Sequence, residues 1–205
     1  MARTRDPDAF DAERARIRAA AEACFVRHGL HAAGIAEICR EAGISAGRFY
    51  HYFPSKQDLI AAVAAEDRAA TQAWLDILAG LRGLPALLDH LTEVAAAMAD
   101  PAYGRLALEL VAEAGRDSTF AAPFRDTAAL VHRHLTAILE AARTRGEIRL
   151  DRPPADLARQ VRMLLDGVVG RSVLDPDDTP DRVAADIRDA LSRLLTPLAG
   201  PAPLP

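Results

Sequence analysis

The chain has 205 residues, of which 50% are apolar and 26% are charged. This composition excludes a disordered chain and allows one large domain or two small ones. No apolar run reaches eighteen residues, and the first eight residues carry four charges, so we expect neither a membrane-spanning helix nor a secretory signal. Two cysteines are too few for a disulfide scaffold, which predicts a cytoplasmic protein with no membrane partner.

The formal net charge is −4, but the charges are unevenly distributed. The first 60 residues hold nine basic side chains against eight acidic ones, and the remainder is acidic. An acidic protein still binds nucleic acid when its basic groups gather on one face. The composition therefore neither favours nor excludes a DNA-binding protein. Lys56 is the single lysine among twenty-four arginines.

Prolines divide the chain into stretches rich in Ala, Leu, Arg and Glu, which are typical of helices. Apolar residues recur within these stretches at three- and four-residue spacing, and alternating β-branched runs are absent. We therefore predict an all-α fold, with an N-terminal three-helix domain that contains a helix-turn-helix and a C-terminal helical bundle. About nine helices are expected, at 12–28, 35–42, 46–52, 56–79, 85–98, 102–114, 121–145, 155–174 and 181–195. Residues 1–11 are expected to be a flexible arm and residues 197–205 a proline-rich tail.

A helix-turn-helix is predicted at about 34–53, where two short helices meet at a turn. Ala42 allows close approach of the helices, and Gly43 supplies the left-handed residue that the turn requires. Ser45 is suited to cap the second helix. These residue types at this spacing are typical of DNA-binding helix pairs.

The second helix of this motif has one face for the core and one for a ligand. Phe49, Tyr52 and Phe53 share a face at i, i+3 and i+4, and we expect them to pack inward. After Pro54, a serine cap opens the next helix beside Lys56, and its backbone N–H groups suit a phosphate. The remaining side chains suit a DNA groove. The predicted DNA contacts are Ser45, Ala46, Gly47, Arg48, Tyr50, His51 and Lys56.

Within this set we assign two roles. Arg48 and His51 are expected to read base edges, since arginine matches guanine O6 and N7. Tyr50 and Lys56 are expected to contact phosphates. Arg48 could instead reach sideways to a phosphate, and Tyr50 could be the half-buried edge of the core.

Residues 12–60 resemble the DNA-binding domain of the TetR (tetracycline-repressor-like) transcriptional regulators. The resemblance rests on AGIS at 42–45, FYHYF at 49–53 and PSKQDLI at 54–60. It implies a homodimer that binds double-stranded DNA at a palindromic operator. It also implies a repressor that a small-molecule effector releases, with residues 61–196 forming the ligand-sensing and dimerisation domain.

The sequence departs from the family pattern at two places. Ala33 and Gly34 carry no hydroxyl where the family often has a phosphate-binding Thr or Ser. Arg48 stands where a small residue is common. These departures shift the expected balance from phosphate contacts toward base readout.

The effector and dimer contacts are predicted from bulk, polarity and helical periodicity. For each effector candidate, ordinary core packing is the slightly favoured alternative. For the interface, surplus apolar surface on the last two helices, with small residues such as Gly167 and Gly170, favours an isologous four-helix contact. The effector candidates are Trp74, Met98, Tyr103, Phe120, Phe124, His132 and Met163. The interface candidates are Leu165, Val168, Ser172, Ile187, Leu191 and Leu194.

Other classes of site find little support. The histidine pairs at 28–31 and 132–134 lack carboxylate or thiol partners at helical spacing, so no metal site is expected. Glu109 and Glu113 form an i, i+4 acidic pair that could be catalytic, but a solvated face or a pocket wall is the favoured interpretation. No phosphate-binding loop, dinucleotide-binding turn, HExxH motif or Ser/His/Asp arrangement is present, so we expect no enzyme and no cofactor. The alternatives kept open are a helical-bundle enzyme or small-molecule carrier with a vestigial helix-turn-helix, and a nucleoid-type structural binder.

Overall fold

A computed structural model describes residues 7–148, 152–175 and 177–195. Within these ranges the chain forms nine α-helices and no β-strand, which confirms the predicted all-α class. The helices are α1 (Pro7–His28), α2 (Ile35–Ala42), α3 (Ala46–Tyr52), α4 (Lys56–Gly80), α5 (Leu84–Met98), α6 (Pro101–Ala114), α7 (Ser118–Thr144), α8 (Pro154–Leu174) and α9 (Pro180–Leu195).

Two helices begin at least three residues earlier than the sequence predicted. Helix α1 starts at Pro7, so residues 7–11 of the expected arm are helical. Helix α7 starts at Ser118 because the Asp117 side chain accepts hydrogen bonds from the first backbone N–H groups, and Pro123 lies inside the helix. The first six residues of the expected arm and the expected tail at 197–205 lie outside the described residues.

The buried apolar side chains form two clusters, and α4 contributes to both. The N-terminal cluster contains the side chains of α1–α3 together with Leu59 and Val63 from the first half of α4. The C-terminal cluster joins α5, α7, α8 and α9 with Leu75 and Leu78 from the second half. Because one continuous helix enters both cores, a tilt of α4 at one end moves side chains at the other.

Helix α6 lies between the two cores and crosses α8 at close range. A Cβ atom on Gly104 would lie 2.2 Å from Ser172 Oγ and 3.0 Å from the Val169 carbonyl oxygen. Only glycine therefore fits at this crossing. On its other side, α6 contributes Leu110 to the N-terminal core.

None of the helices in the described ranges combines the length and the apolar character that crossing a bilayer requires.

Candidate nucleic-acid interface

The turn between α2 and α3 has the geometry that its residues predict. Gly43 adopts the left-handed conformation with φ +63°, and the Ile44 N–H donates to the Cys39 carbonyl oxygen at 2.9 Å. Ser45 caps α3, since its Oγ accepts from the Arg48 N–H at 3.2 Å. Both assignments are confirmed. The turn therefore sets the direction of α3 through local backbone bonds.

Helix α3 buries one face and exposes the other. Phe49 and Phe53 are fully buried, and the half-buried ring of Tyr52 stacks on Phe10 with centroids 4.8 Å apart. This confirms the predicted inward face. The exposed residues are Ser45, Ala46, Gly47, Arg48, Tyr50 and His51. The candidate DNA contacts on this segment therefore share one solvent-facing surface, which we call the α3 face.

Helix α1 holds the C-terminal end of α3 and the C-terminal end of α2. Arg14 Nη1 donates to the Tyr52 carbonyl oxygen at 3.1 Å, and its guanidinium lies over the Phe53 ring at 4.5 Å. On the other side of the turn, Arg16 donates to the carbonyl oxygen of Ala42, which is the last residue of α2. A charge-assisted hydrogen bond to the last carbonyls of a helix stabilises its end. The position of α3 is thus set by α1 as well as by the turn.

Arg48, on the α3 face, forms an ion pair with a residue of α1. Its Nε donates to Glu13 Oε1 of α1 at 3.1 Å. Hydrogen bonds from Arg16 and the charge of Arg48 hold the pKa of Glu13 below its usual range. Arg48 is 57% exposed. Sequence reasoning missed this pair because 35 residues separate its members.

Lys56 lies at the start of α4 and bridges two elements. Its Nζ donates to the carbonyl oxygen of His31, in the loop between α1 and α2, at 2.9 Å. Burial lowers the pKa of Lys56. Ser55 caps α4 by accepting from the Asp58 N–H at 3.1 Å, as predicted. One N–H of the ammonium is thus used inside the protein, and two remain for a phosphate.

The acidic pair on α6 contacts the loop between α1 and α2 and is not a simple solvated face. Glu109 Oε2 accepts from the Leu30 N–H at 2.9 Å, and Glu113 Oε2 lies 2.9 Å from His31 Nε2. Both carboxylates therefore hold the α1–α2 loop that Lys56 also binds. This contact connects the sensing domain directly to the helix-turn-helix.

The seven effector candidates do not converge on one cavity. Trp74 and Met98 pack against the C-terminal core, whereas Phe120 and Phe124 pack against the N-terminal core. Met163 is 65% exposed on α8 and does not line an enclosed pocket within one copy of the chain. His132 is half-buried on α7. Two open depressions, a groove between α1, α6 and α8 and another between α4 and α7, are lined by none of the seven.

Two groups of polar side chains among the C-terminal helices include residues that the sequence analysis missed, namely His90 in one and Asp67 and Asp166 in the other. Trp74 stacks on His90 with ring centroids 6.3 Å apart, and the buried atoms Trp74 Nε1 and His90 Nε2 have no hydrogen-bond partner in the described part of the chain. Burial, with the charges of Asp67 and Asp166, raises the pKa of Tyr103 to about 12. A histidine inside the mostly apolar α5 was the available signal.

Five of the six residues predicted for the dimer interface on α8 and α9 expose little surface to a second copy. These side chains are buried within the chain's own core or at its crossing with α6, and Leu194 is half-buried against the core. Helical periodicity identified the buried face correctly but not what covers it. The five are Leu165, Val168, Ser172, Ile187 and Leu191.

The outward face of α8 carries a different set of residues. Met163 and Leu174 are 65% and 83% exposed, and Gly167 and Gly170 have open space around the Cβ position. The spacing of 163, 167, 170 and 174 places all four on one side of the helix. We call this set the α8 stripe.

Among the described residues, no three His, Cys, Asp or Glu side chains are grouped to hold a metal ion.

An exposed α3 face, held by α1 and coupled through α4 and α6 to a second helical domain, defines a helix-turn-helix DNA-binding regulator. The family model for bacterial regulatory proteins of the tetR family matches residues 17–63. That for the tetracyclin repressor-like C-terminal domain matches residues 85–191. The chain belongs to the TetR family and is a ligand-responsive transcriptional regulator. The predicted resemblance is confirmed.

Transcriptional regulators of other bacteria are similar to this chain over most of their length. The transcriptional regulator UidR of Escherichia coli K12 is 30% identical over 160 residues, which is 77% of this chain and 78% of UidR. The transcriptional repressor AcnR of Corynebacterium glutamicum is 24% identical over 164 residues, covering 77% and 80%. The structure of Salmonella enterica GusR superimposes with a TM-score of 0.71 at 28% identity, over 94% of this chain and 98% of GusR.

A regulator from Saccharomonospora viridis in complex with choline shares the fold, with a TM-score of 0.79 at 18% identity over 92% of this chain and all of that one.

Proposed function

We propose that this protein is a cytoplasmic homodimeric repressor that binds a palindromic operator and leaves it when a small molecule binds the sensing domain. The observation that carries the proposal is the α3 face, a solvent-exposed helix surface with a guanidinium, a phenol and an imidazole beside the single lysine of the chain. Arginine and histidine suit base edges, whereas lysine and tyrosine suit phosphates.

The α3 face is proposed to enter the major groove. Ala46 and Gly47 are small, and no atom lies within 4 Å of the Cβ position of Gly47, so the backbone of this turn can approach the bases closely. That approach supports base readout by Arg48 and His51. Tyr50, at the edge of the α3 face, and Lys56, at the start of α4, are proposed to contact the phosphates on either side.

The second copy is proposed to pack on the α8 stripe. Met163 and Leu174 are among the most exposed large apolar side chains described, and a two-fold axis would place each stripe against its mate. Gly167 and Gly170 would let the two helices cross closely. Of the six residues first predicted for the interface, Leu194 alone is partly exposed and stays in the proposal.

The effector is proposed to bind among the helices of the sensing domain and to act through α6. Trp74, Met98, Tyr103, Phe120, Phe124 and His132 remain its candidate contacts. Helix α6 carries Tyr103 near one end and Glu109 and Glu113, which hold the α1–α2 loop, toward the other. A shift of α6 on effector binding would therefore move the loop that Lys56 ties to α4. Coupling of about 1–3 kcal/mol is typical of such two-site systems.

The experiment is selection of binding sites from random double-stranded DNA with the purified full-length protein, followed by footprinting on the enriched sequence. We expect an inverted repeat whose half-sites lie about one helical turn apart or a multiple of it. Compounds that change Trp74 fluorescence are then tested for release of that DNA. Recovery of no inverted repeat would contradict the dimeric operator, and binding without release would contradict effector control.

A further inference from the structure

The carboxylate that holds Arg48 is itself firmly held. Glu13 is 14% exposed, and its two oxygens accept from Arg16 Nη2 and Nε at 2.7 Å and 3.0 Å. Arg16 is anchored in turn to the carbonyl oxygen of Ala42. Glu13 is therefore positioned by the helix-turn-helix scaffold independently of Arg48, and Arg48 is the more exposed partner of the pair.

The contact uses only one edge of the Arg48 guanidinium. Glu13 accepts from Nε, while Nη1 and Nη2 have no hydrogen bond to any described residue. A guanine presents O6 and N7 to two parallel N–H groups, and the two terminal nitrogens still provide such a pair. A guanidinium held on its Nε edge thus keeps the donors that end-on recognition of guanine requires.

The negative charge of Glu13 also favours a base over a phosphate as the DNA partner of Arg48. A carboxylate 3.1 Å from Nε offsets part of the positive charge that attracts Arg48 to phosphates. The guanidinium still donates directional hydrogen bonds to a base, while its sequence-independent attraction to the DNA backbone is reduced.

We propose that Glu13 determines sequence specificity by positioning Arg48, so that the guanidinium reads a base instead of a phosphate. This inference rests on the proposed function, in which Arg48 lies in the major groove. Glu13 is a positioning residue: it acts through Arg48 and need not touch DNA.

The test compares Glu13→Ala and Glu13→Gln with the wild-type full-length protein. Dissociation constants are measured by fluorescence anisotropy for the selected operator, for operators substituted at each half-site position, and for unrelated DNA, across a range of salt. Glu13→Ala should reduce discrimination at one position per half-site by about 5- to 150-fold, the range for one bidentate base contact. Its binding to unrelated DNA should become equal or tighter, with a steeper salt dependence.

Glu13→Gln keeps an oxygen that accepts from Nε, so it should retain most of the discrimination. The matched control is Glu66→Ala, which removes a carboxylate that pairs with Arg18 at 3.1 Å, away from α3. The control should leave base preference unchanged. Circular dichroism and thermal unfolding of each variant confirm that the helices are intact.

Arg48→Ala and the double variant Glu13→Ala/Arg48→Ala separate the possible failures. If Arg48 reads a base, Arg48→Ala relaxes one position, and adding Glu13→Ala relaxes nothing further. If Arg48→Ala leaves the consensus unchanged, base reading by Arg48 fails, and the inference fails with it. If Arg48→Ala relaxes the consensus but Glu13→Ala does not, only the role of Glu13 is overturned. Tighter operator binding by Glu13→Ala at undiminished selectivity would also overturn it, by showing that Glu13 competes with DNA for Arg48.

Discussion

At the scale of single residues, the charged groups near the α3 face each have a structural partner as well as a proposed DNA partner. Arg48 bonds to Glu13, and Lys56 bonds to the His31 carbonyl oxygen. Neither side chain is held by enough contacts to be unavailable to DNA, since an arginine has five N–H donors and a lysine three. The protein contacts orient these groups and thereby reduce the entropy lost on binding.

Lys56→Ala should weaken operator and unrelated DNA alike. If the ammonium contacts one phosphate in each half-site, the slope of log K against log salt falls by about one per half-site. Lys56→Arg keeps the charge and serves as the control, with a slope close to that of the wild type. Measurement is by anisotropy titration at several salt concentrations. An unchanged slope for a folded Lys56→Ala protein would argue against the phosphate contact.

At the scale of helices, the packing of α6 against α8 depends on the absence of a side chain at one residue. Gly104→Ala would place a methyl group 2.2 Å from Ser172 Oγ and 3.0 Å from the Val169 carbonyl oxygen. The backbone of α8 cannot rotate away as a side chain can. We expect a loss of about 1–3 kcal/mol in the free energy of unfolding, the range for overpacked sites, measured by urea denaturation.

Gly80→Ala is the matched control for that substitution. Gly80 is also helical, and nothing lies within 4 Å of its Cβ position. Alanine should be neutral there or slightly stabilising, because it has the higher helix propensity. Equal stability of Gly104→Ala and the wild type would show that the crossing is looser than described.

Asp67 on α4 gives a prediction with a defined pH dependence. Burial raises its pKa above the usual value, so the fold penalises the charged form. The penalty is present at neutral pH and disappears as the pH falls below the pKa of the unfolded chain, about 3.9. Asp67→Asn should therefore unfold at a higher temperature than the wild type at pH 7, with a difference that shrinks toward pH 4.

The control is Asp76→Asn, at an exposed carboxylate on the same helix. It should show no such pH-dependent gain. An Asp67→Asn protein that is less stable than the wild type at pH 7 would mean that the carboxylate makes a favourable interaction that outweighs its burial.

At the scale of the whole molecule, the proposed dimer depends on the α8 stripe. Met163→Glu and Leu174→Glu would place like charges near the two-fold axis without disturbing the core, because both side chains are largely exposed. We expect each to lower the dimer association constant by about ten- to a hundredfold, since unpaired or like charges at an interface cost more than 1 kcal/mol. The affinity for the operator should fall together with the dimer association constant.

Sedimentation velocity, with the helical content checked by circular dichroism, measures this effect. The matched control is Ile77→Glu, because Ile77 on α4 is 56% exposed but lies outside the α8 stripe. A wild-type dimer that both stripe variants preserve would place the interface elsewhere. Leu165→Asp and Val168→Asp are unsuitable tests, because a charge in the buried core would unfold the protein rather than separate two copies.

How much could be predicted from the sequence depends on the range of each interaction. The helix-turn-helix was predictable because local rules create it: Gly43 takes a left-handed turn, Ser45 caps α3, and Phe49 and Phe53 lie one helical turn apart. The exposure of Arg48 follows from that periodicity. All of these interactions lie within a few residues in the chain.

The long-range contacts could not be predicted in this way. The pairing of Glu13 with Arg48 spans 35 residues, and that of Leu30 with Glu109 spans 79. Periodicity identifies the apolar face of a helix but not its partner, so Leu165 and Ile187 were assigned to a second copy when the chain's own helices cover them. Only the packing of the helices in three dimensions selects among equally apolar partners, because burial is non-directional and any apolar surface satisfies it.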